Sequence, residues 1–442
     1  MGTYREKCAK MSSLIGIHFL VAPSSFLWNY GNLSAYMESF FHVYCNSSCV
    51  DGDSQFIPNL FVASICPGIY LSGPISSALG LKWTGVLSLA ICNIGLISST
   101  WTVQISVTAT AFTMGFLNGV GMGMSLCVGF MYVSVWTDRH KGLFIATVTS
   151  APTILSVAQN QIITAYVNPK NLKPDTEVGP RTFFSDVAMM KRVPVIILIY
   201  GVMTLGLQVI GTLLVMPPPS YPQKQNCTTK TIHTTSENIS VDIAKGDSIS
   251  KKPPRSYTPL EALRTRSFVA LWFFVVALMY GMILKNNFYK QFGLTFIQND
   301  MLLTLLGSLI PIVASIARIT FGWLMDRDIL SIRTCMVIIL SANSLLCAFW
   351  WFAPQVGTVV YVVLVLGLAS MQSVTYTLVA AGTLQIFGPH HFAGNFAMVY
   401  TAVTTIAIVS GLTVTPMLQS LGWFWLFASS SILSAVVVFL PL

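Results

Sequence analysis

The sequence predicts an all-α membrane protein of twelve transmembrane helices arranged as two six-helix halves, and three observations carry that expectation. Of its 442 residues 54% are apolar and only 9% are charged, far below the roughly one quarter charged residues of a soluble domain. Twelve stretches are long and apolar enough to cross the bilayer core, which takes about 20 helical residues. A polar segment, 217–266, then splits these stretches six and six. The apolar runs are continuous, without the alternation of period two that a β-barrel needs.

Residues 1–11 are charged and read as a cytoplasmic tail, and the first span, 12–37, has no small-residue cleavage site, so it is expected to be a retained helix. "MGTYRE" has Glu6 where a myristoylation signal wants Ser or Thr, which argues against lipidation. The first half continues with spans at 57–79, 84–104, 107–135, 142–166 and 193–216. Between Met216 and Ser267 the chain is rich in Pro, Ser, Thr and charge, with too little apolar surface to offset the entropy of ordering, so most of it is expected to be a mobile linker. Its end, "YTPLEALRTRSF", differs: Thr258 can cap, Pro259 suits the first helical position and Glu261 suits the first turn, predicting a short helix at the membrane surface. The second half, 267–442, carries spans at 267–289, 301–325, 334–353, 356–379, 394–418 and 422–441.

The positive charge sets the orientation. With a cytoplasmic amino terminus, the inner segments hold 16 of the 24 Lys and Arg residues, eight of them in the central segment. The loop after the fifth span departs from the pattern with Lys170, Lys173, Arg181, Lys191 and Arg192. The net charge of +9 is therefore a topology signal, with no nucleic-acid partner implied. Of nine cysteines most lie inside spans, where a small buried hydrophobe is the ordinary role. Cys45 and Cys49 instead flank "NSS" in the first outer loop, where Asn46 fits a glycosylation acceptor and the two thiols are a candidate disulfide with a tight separation. No nucleotide-binding loop, metal cluster or nucleophile with its base is legible, which gives no support to an ATPase, a hydrolase, a metal site or a cofactor.

The residue most in need of explanation is Arg318, the only charge between Met301 and Met325. An Arg at mid-bilayer costs roughly 2.5 to 3.5 kcal/mol on insertion scales. One account is that it belongs to the inner loop and snorkels. Against that, it lies two turns before Asp326, about 12 Å deeper at 1.5 Å per residue, and no Asp or Glu sits well inside any span, Glu38 being the nearest. A fixed guanidinium facing a water-filled path suits a substrate carboxylate held by two hydrogen bonds. Trp28, Tyr30, Asn32 and Tyr36 in "FLWNYGNLSAYM" could wall such a path or form an interfacial aromatic belt. His18 could titrate or simply pack, and Gln372 and Tyr376 in "SMQSVTYT" are further candidates. Gly115, Gly119 and Gly123 recur every four residues, allowing close helix packing or a bend.

The inner loop "GPISSALGLK", with Gly73, Gly80 and Lys82, has its counterpart after the eighth span in "GWLMDRDILSIR", with Gly322, Asp326 and Arg327. The second of these resembles the Gly-x-x-x-Asp-Arg signature of the major facilitator superfamily, while the first has Ser77 and Ala78 in place of the acid and the arginine. "LWNYGNLSAYM", "GFLNGVGMGM", "YTPLEAL" with "LWFF", "NNFYKQFG" and "NFAMVYTA" together resemble the oxalate:formate antiporter and monocarboxylate transporter branch. The resemblance implies two rocking six-helix bundles, a substrate-binding arginine at Arg318, and inner-gate roles for Gly73, Gly80, Lys82, Gly322, Asp326 and Arg327. The chain departs from the branch at Val403, where the oxalate transporter has a second basic residue, at Ala314, where proton-coupled relatives have an acid, and near Ser34, where they have a lysine.

One cation for one carboxylate is the expected arithmetic, so the sequence points to a transporter of a small organic anion, a monocarboxylate before a dicarboxylate. The alternatives are a carrier of a neutral or zwitterionic solute with a structural Arg318, and a transporter-like receptor. The plasma membrane is the default location, and an accessory membrane subunit stays an open question. Topology is checked by labelling: a cysteine introduced beside Lys224 should stay unreactive to an impermeant reagent in intact cells, and labelling from outside would contradict the orientation.

Overall fold

The computed structural model describes residues 4–41, 54, 56–137, 140–170, 172, 175–178, 181–216, 256–297 and 300–439. Cys45, Asn46, Cys49 and the segment 217–255 lie outside the described residues. Within them, 12 helices are long and apolar enough to cross a membrane. In order they are span 1 (Glu6–Ser39), span 2 (Phe56–Leu79), span 3 (Leu81–Thr102), span 4 (Val107–Trp136), span 5 (Lys141–Val167) and span 6 (Val187–Leu214). The second half holds span 7 (Arg266–Gly293), span 8 (Leu305–Asp326), span 9 (Ile332–Trp350), span 10 (Thr358–Phe387), span 11 (Phe392–Val414) and span 12 (Pro416–Val438). Among the described residues, the β-structure is a hairpin in the loop after span 5, where β1 (Thr176–Val178) pairs antiparallel with β2 (Arg181–Phe183).

Three of the departures from the expected spans have identifiable reasons. Span 1 is broken: helix runs Tyr4–Leu20, then a 3-10 turn Ala22–Ser25 containing Pro23, then helix again over Phe26–Ser39. Pro23 has no N–H to continue the ladder, so the face carried by Trp28 is set anew after the turn. Span 10 continues to Phe387, past the expected 379, and ends at Gly388 with φ of 81°. Its end is decided by the positive-φ turn and not by the loss of hydrophobicity. Span 7 likewise runs to Gly293, one turn beyond the expected end at 289.

Both halves are tied internally by buried amides at corresponding positions. Asn93 of span 3 donates to Gln208 of span 6 at 2.6 Å, and Asn343 of span 9 donates to Ser434 of span 12 at 2.8 Å. In hydrocarbon such bonds are specific because an unmatched amide has no water to turn to. The short helix Pro259–Leu263 forms as the sequence predicts, with a full Thr258–Glu261 capping box. Tyr257 fastens it to the inner ends of spans 10 and 11, donating to Phe387 O at 2.9 Å and accepting from Asn395 at 2.9 Å.

The glycines of span 4 lie along span 2. A Cβ on Gly115 would come 2.8 Å from the Ile57 carbonyl, and one on Gly119 would come 2.9 Å from Ser64 Cβ. Packing is thus sufficient reason for the four-residue repeat, and Gly115 also falls in a π-helical stretch, Ala111–Leu117, that widens the helix there. Gly119→Val should force the two helices apart at a cost of about 1 to 3 kcal/mol, visible as a lower melting temperature in detergent; an unchanged melting temperature would mean that the two helices do not pack this closely.

Candidate functional site

The two halves meet along span 2 against span 11 and span 5 against span 8. Thr404 donates to Ala63 O at 2.8 Å and the Cys66 thiol to Ala397 O at 3.3 Å. Contacts run to both ends: Gly411 faces Asn59 at the outer end, and Gly73 faces Ala393 at the inner one. The interior between the halves is therefore closed on both sides.

Arg318 lies in this closed interior, 1% exposed. Its Nη1 donates across to span 5, to the Thr149 carbonyl and, at 2.8 Å, to Thr153 Oγ1. Trp28 and Tyr376 flank the guanidinium, their ring centroids 5.2 Å and 5.7 Å from its Cζ. Nε and Nη2 are buried with no hydrogen-bond partner. These two groups form the side-on edge of the guanidinium, the fork that matches a carboxylate with two parallel bonds. Snorkelling is thereby ruled out for Arg318 in this conformation.

The expectation of a single cation is corrected by span 7. Lys285 is 0% exposed, its Nζ has no hydrogen-bond partner, and it lies 5.6 Å from the same Trp28 ring. Among the described residues no carboxylate makes a salt bridge to either cation. The site therefore holds two buried basic side chains from span 7 and span 8, faced by Trp28 of span 1, Tyr376 of span 10 and the threonines of span 5. The signal for Lys285 was in the sequence, a lysine inside an apolar run. It was masked because the expected end of the helix lay only four residues further on, within snorkelling reach.

Of the other candidates, the structure brings Trp28 and Tyr376 to Arg318 and directs the rest elsewhere. Tyr30 donates to Ser54 O at 2.9 Å, and Tyr36 packs on Phe184 of the outer loop with ring centroids 5.6 Å apart. Asn32 donates to Thr164 at 2.9 Å and to Asn160 O at 3.2 Å, bracing span 1 on span 5. His18 bonds Leu14 O at 2.6 Å and Thr147 at 3.1 Å, part of the same brace. Gln372 donates to Asn343 at 2.9 Å inside the second half. The brace matters to the site, since Asn160 also holds the Trp28 carbonyl, at 3.4 Å.

At the inner end, the first turn of span 5 has no side-chain cap of its own, its N-cap His140 being left-handed with φ of 60°. Asp326 of the opposite half supplies one: its carboxylate accepts from Gly142 N at 2.9 Å and Leu143 N at 2.6 Å. A carboxylate at a helix amino terminus is favoured by the orphan N–H groups and by the helix dipole. Gly142 and Gly322 allow the approach, since a Cβ on Gly142 would sit 2.9 Å from Asp326 Oδ1 and one on Gly322 would sit 2.9 Å from Ala146 Cβ. Arg327 is exposed and lies over the Trp323 ring at 5.6 Å.

Among the described residues the first half shows no equivalent tie. Ser77 returns its hydroxyl to Gly73 O of its own helix at 3.1 Å, and span 11 begins at His391 without a side-chain cap. Gly80 turns the chain between spans 2 and 3 with φ of 84°, and Lys82 beyond it is exposed.

The Major Facilitator Superfamily profile matches residues 51–412. No curated protein sequence matches significantly. Among solved structures, the outward conformation of the transporter FucP, described elsewhere as the E. coli fucose:proton symporter, is similar with a TM-score of 0.62 at 14% identity, over 97% of this chain and 98% of its own. The human organic anion transporter MFSD10 is similar with a TM-score of 0.62 at 12% identity, over 99% of this chain and 100% of its own. The proton:xylose symporter XylE is similar with a TM-score of 0.61 at 10% identity, over 98% and 97%. At such identities the likeness is one of fold.

Asp326→Asn removes a charge from a two-pronged cap and should weaken the inner tie by about 1 kcal/mol, enough to move a balanced two-state population severalfold. Cysteines placed at the inner ends of spans 4, 5, 10 and 11 should label faster in this variant; unchanged labelling would mean that the loop is only a turn.

Proposed function

Given that the chain belongs to the Major Facilitator Superfamily, we propose that it is a secondary transporter of a small organic anion, working by alternating access, with Arg318 as the anchor for a substrate carboxylate. The structural neighbours include sugar symporters as well as an organic anion transporter, so the fold does not choose between neutral and charged substrates. The observation that carries the reading is the unpaired Nε and Nη2 edge of Arg318 in a closed interior.

Magnitudes support an anion. Burying a cation costs several kcal/mol even after relaxation. The available compensation is one guanidinium end hydrogen-bonded to span 5 and two aromatic rings. Such hydrogen bonds contribute about 1.5 to 3 kcal/mol and each ring about 0.5 to 2 kcal/mol. That sum offsets the cost of Arg318 and leaves Lys285 with a single ring. A bound carboxylate supplies the missing charge and fills the bare edge.

In this mechanism the substrate replaces no protein acid. It enters when the outer ends of the halves part, takes the Arg318 edge, and is enclosed as spans 5 and 8 close over it. The grip of Arg318 on Thr149 and Thr153 joins the two halves at the depth of the substrate, so charge at the site and closure of the interface are linked. The plasma membrane is taken as the default location, and the mechanism requires no cofactor.

Trp28 and Tyr376 would also suit a neutral ring-shaped solute, and this is the second reading. Counterflow in proteoliposomes separates the two. Arg318→Ala should lower carboxylate counterflow at least about tenfold, and Arg318→Lys should fail to restore it, because an ammonium cannot offer two parallel bonds. Equal activity of wild type and Arg318→Ala would remove the anchor.

A further inference from the structure

Resting on that reading, and deepening it, we propose that Lys285 is the second half of a two-point site and that the substrate is a small dicarboxylate, one carboxylate on the Nε and Nη2 edge of Arg318 and the other on Lys285 Nζ. The expectation of a monocarboxylate rested on a single cation, and the structure contains two.

Both cations are fully buried, on adjacent spans of the same half, and both face one side chain, Trp28, at 5.2 Å and 5.6 Å from its ring. Neither has an acid partner among the described residues, and three of their donor groups, Nε and Nη2 of Arg318 and Nζ of Lys285, have no acceptor. A monocarboxylate on Arg318 would leave the ammonium uncompensated in a closed, low-dielectric interior, where an unpaired charge is most costly. A dianion satisfies both cations at once and cancels their mutual repulsion.

The two ends of the site differ in chemistry. The guanidinium fork selects a planar carboxylate, and its far end is fixed by Thr149 and Thr153. Lys285 is a flexible point charge with three donors and imposes little geometry. It extends from span 7 where Asn286 O approaches Gly31 of span 1, so its backbone is located by the contact between halves. The indole that both groups approach offers an apolar face to the short carbon chain joining the carboxylates. This pairing also accounts for Val403 in span 11: the second cation comes from span 7, and span 11 is free to pack there.

The test is counterflow in proteoliposomes of the full chain, with labelled succinate and labelled propionate as probes. Wild type should exchange succinate at least about tenfold more efficiently than propionate, since pairing the second buried cation is worth more than 1.4 kcal/mol. Lys285→Gln should lose that preference, with succinate falling at least about tenfold more than propionate. Lys285→Arg, which keeps the charge, should retain it. Unlabelled propionate that competes with succinate as well as unlabelled succinate does, in wild type, would overturn the proposal without any variant. Equal losses for both substrates in Lys285→Gln would also overturn it, leaving Arg318 as sole anchor. If Arg318→Gln exchanged both substrates like wild type, the underlying carboxylate reading would fail as well.

Discussion

The rest of the structure depends on a guanidinium buried between two halves of a membrane protein with one end held and the other bare. Arg318 donates from Nη1 to span 5, and nothing meets Nε and Nη2. The held end fixes the direction of the bare one. A charge placed so deep has to be positioned by neighbours that do not neutralise it, and a threonine side chain and a backbone carbonyl do this without adding an acid. Around that constraint the other features fall into place: the break at Pro23 that turns Trp28 to the axis, the amide brace of span 1 on span 5, and the glycines that let the halves close.

The inner end shows the same economy. Span 5 carries the threonines that hold Arg318 and, some two turns earlier, the bare N–H groups that donate to Asp326. Both contacts come from span 8, so one pair of helices links the site to the inner closure. The first-half loop, with Ser77 bonded to its own helix, takes no part in a matching tie. Opening toward the inside thus has to part spans 5 and 8, whereas spans 2 and 11 separate without breaking a charged contact among the described residues.

Much of this was legible in the sequence. Twelve spans, their six-and-six division, the Thr258 capping box and the unequal inner loops follow from composition, turn chemistry and a few residues at fixed spacing. Arg318 was legible because a single charge in a long apolar run, about two turns from the inner loop, is too deep to snorkel comfortably. Lys285 was not, for a local reason: it lies four residues from the expected span end at 289, while the helix in fact runs to Gly293. The contacts of Tyr30, Asn32, Tyr36, His18 and Gln372 were left open by the sequence because residue type shows what a side chain can do and not which way it faces. Azimuth around a helix is set by packing, and in span 1 it is reset at a proline that hydropathy does not register.

The central claim is that the buried cations are completed by a carboxylate. Thermal unfolding of the purified chain in detergent tests it directly, because a ligand that binds only the folded state raises the melting temperature with concentration. Succinate should stabilise wild type and leave Arg318→Gln unmoved, while succinamide, the same shape without charge, should stabilise neither. Equal stabilisation of wild type by the amide and the acid would contradict the account.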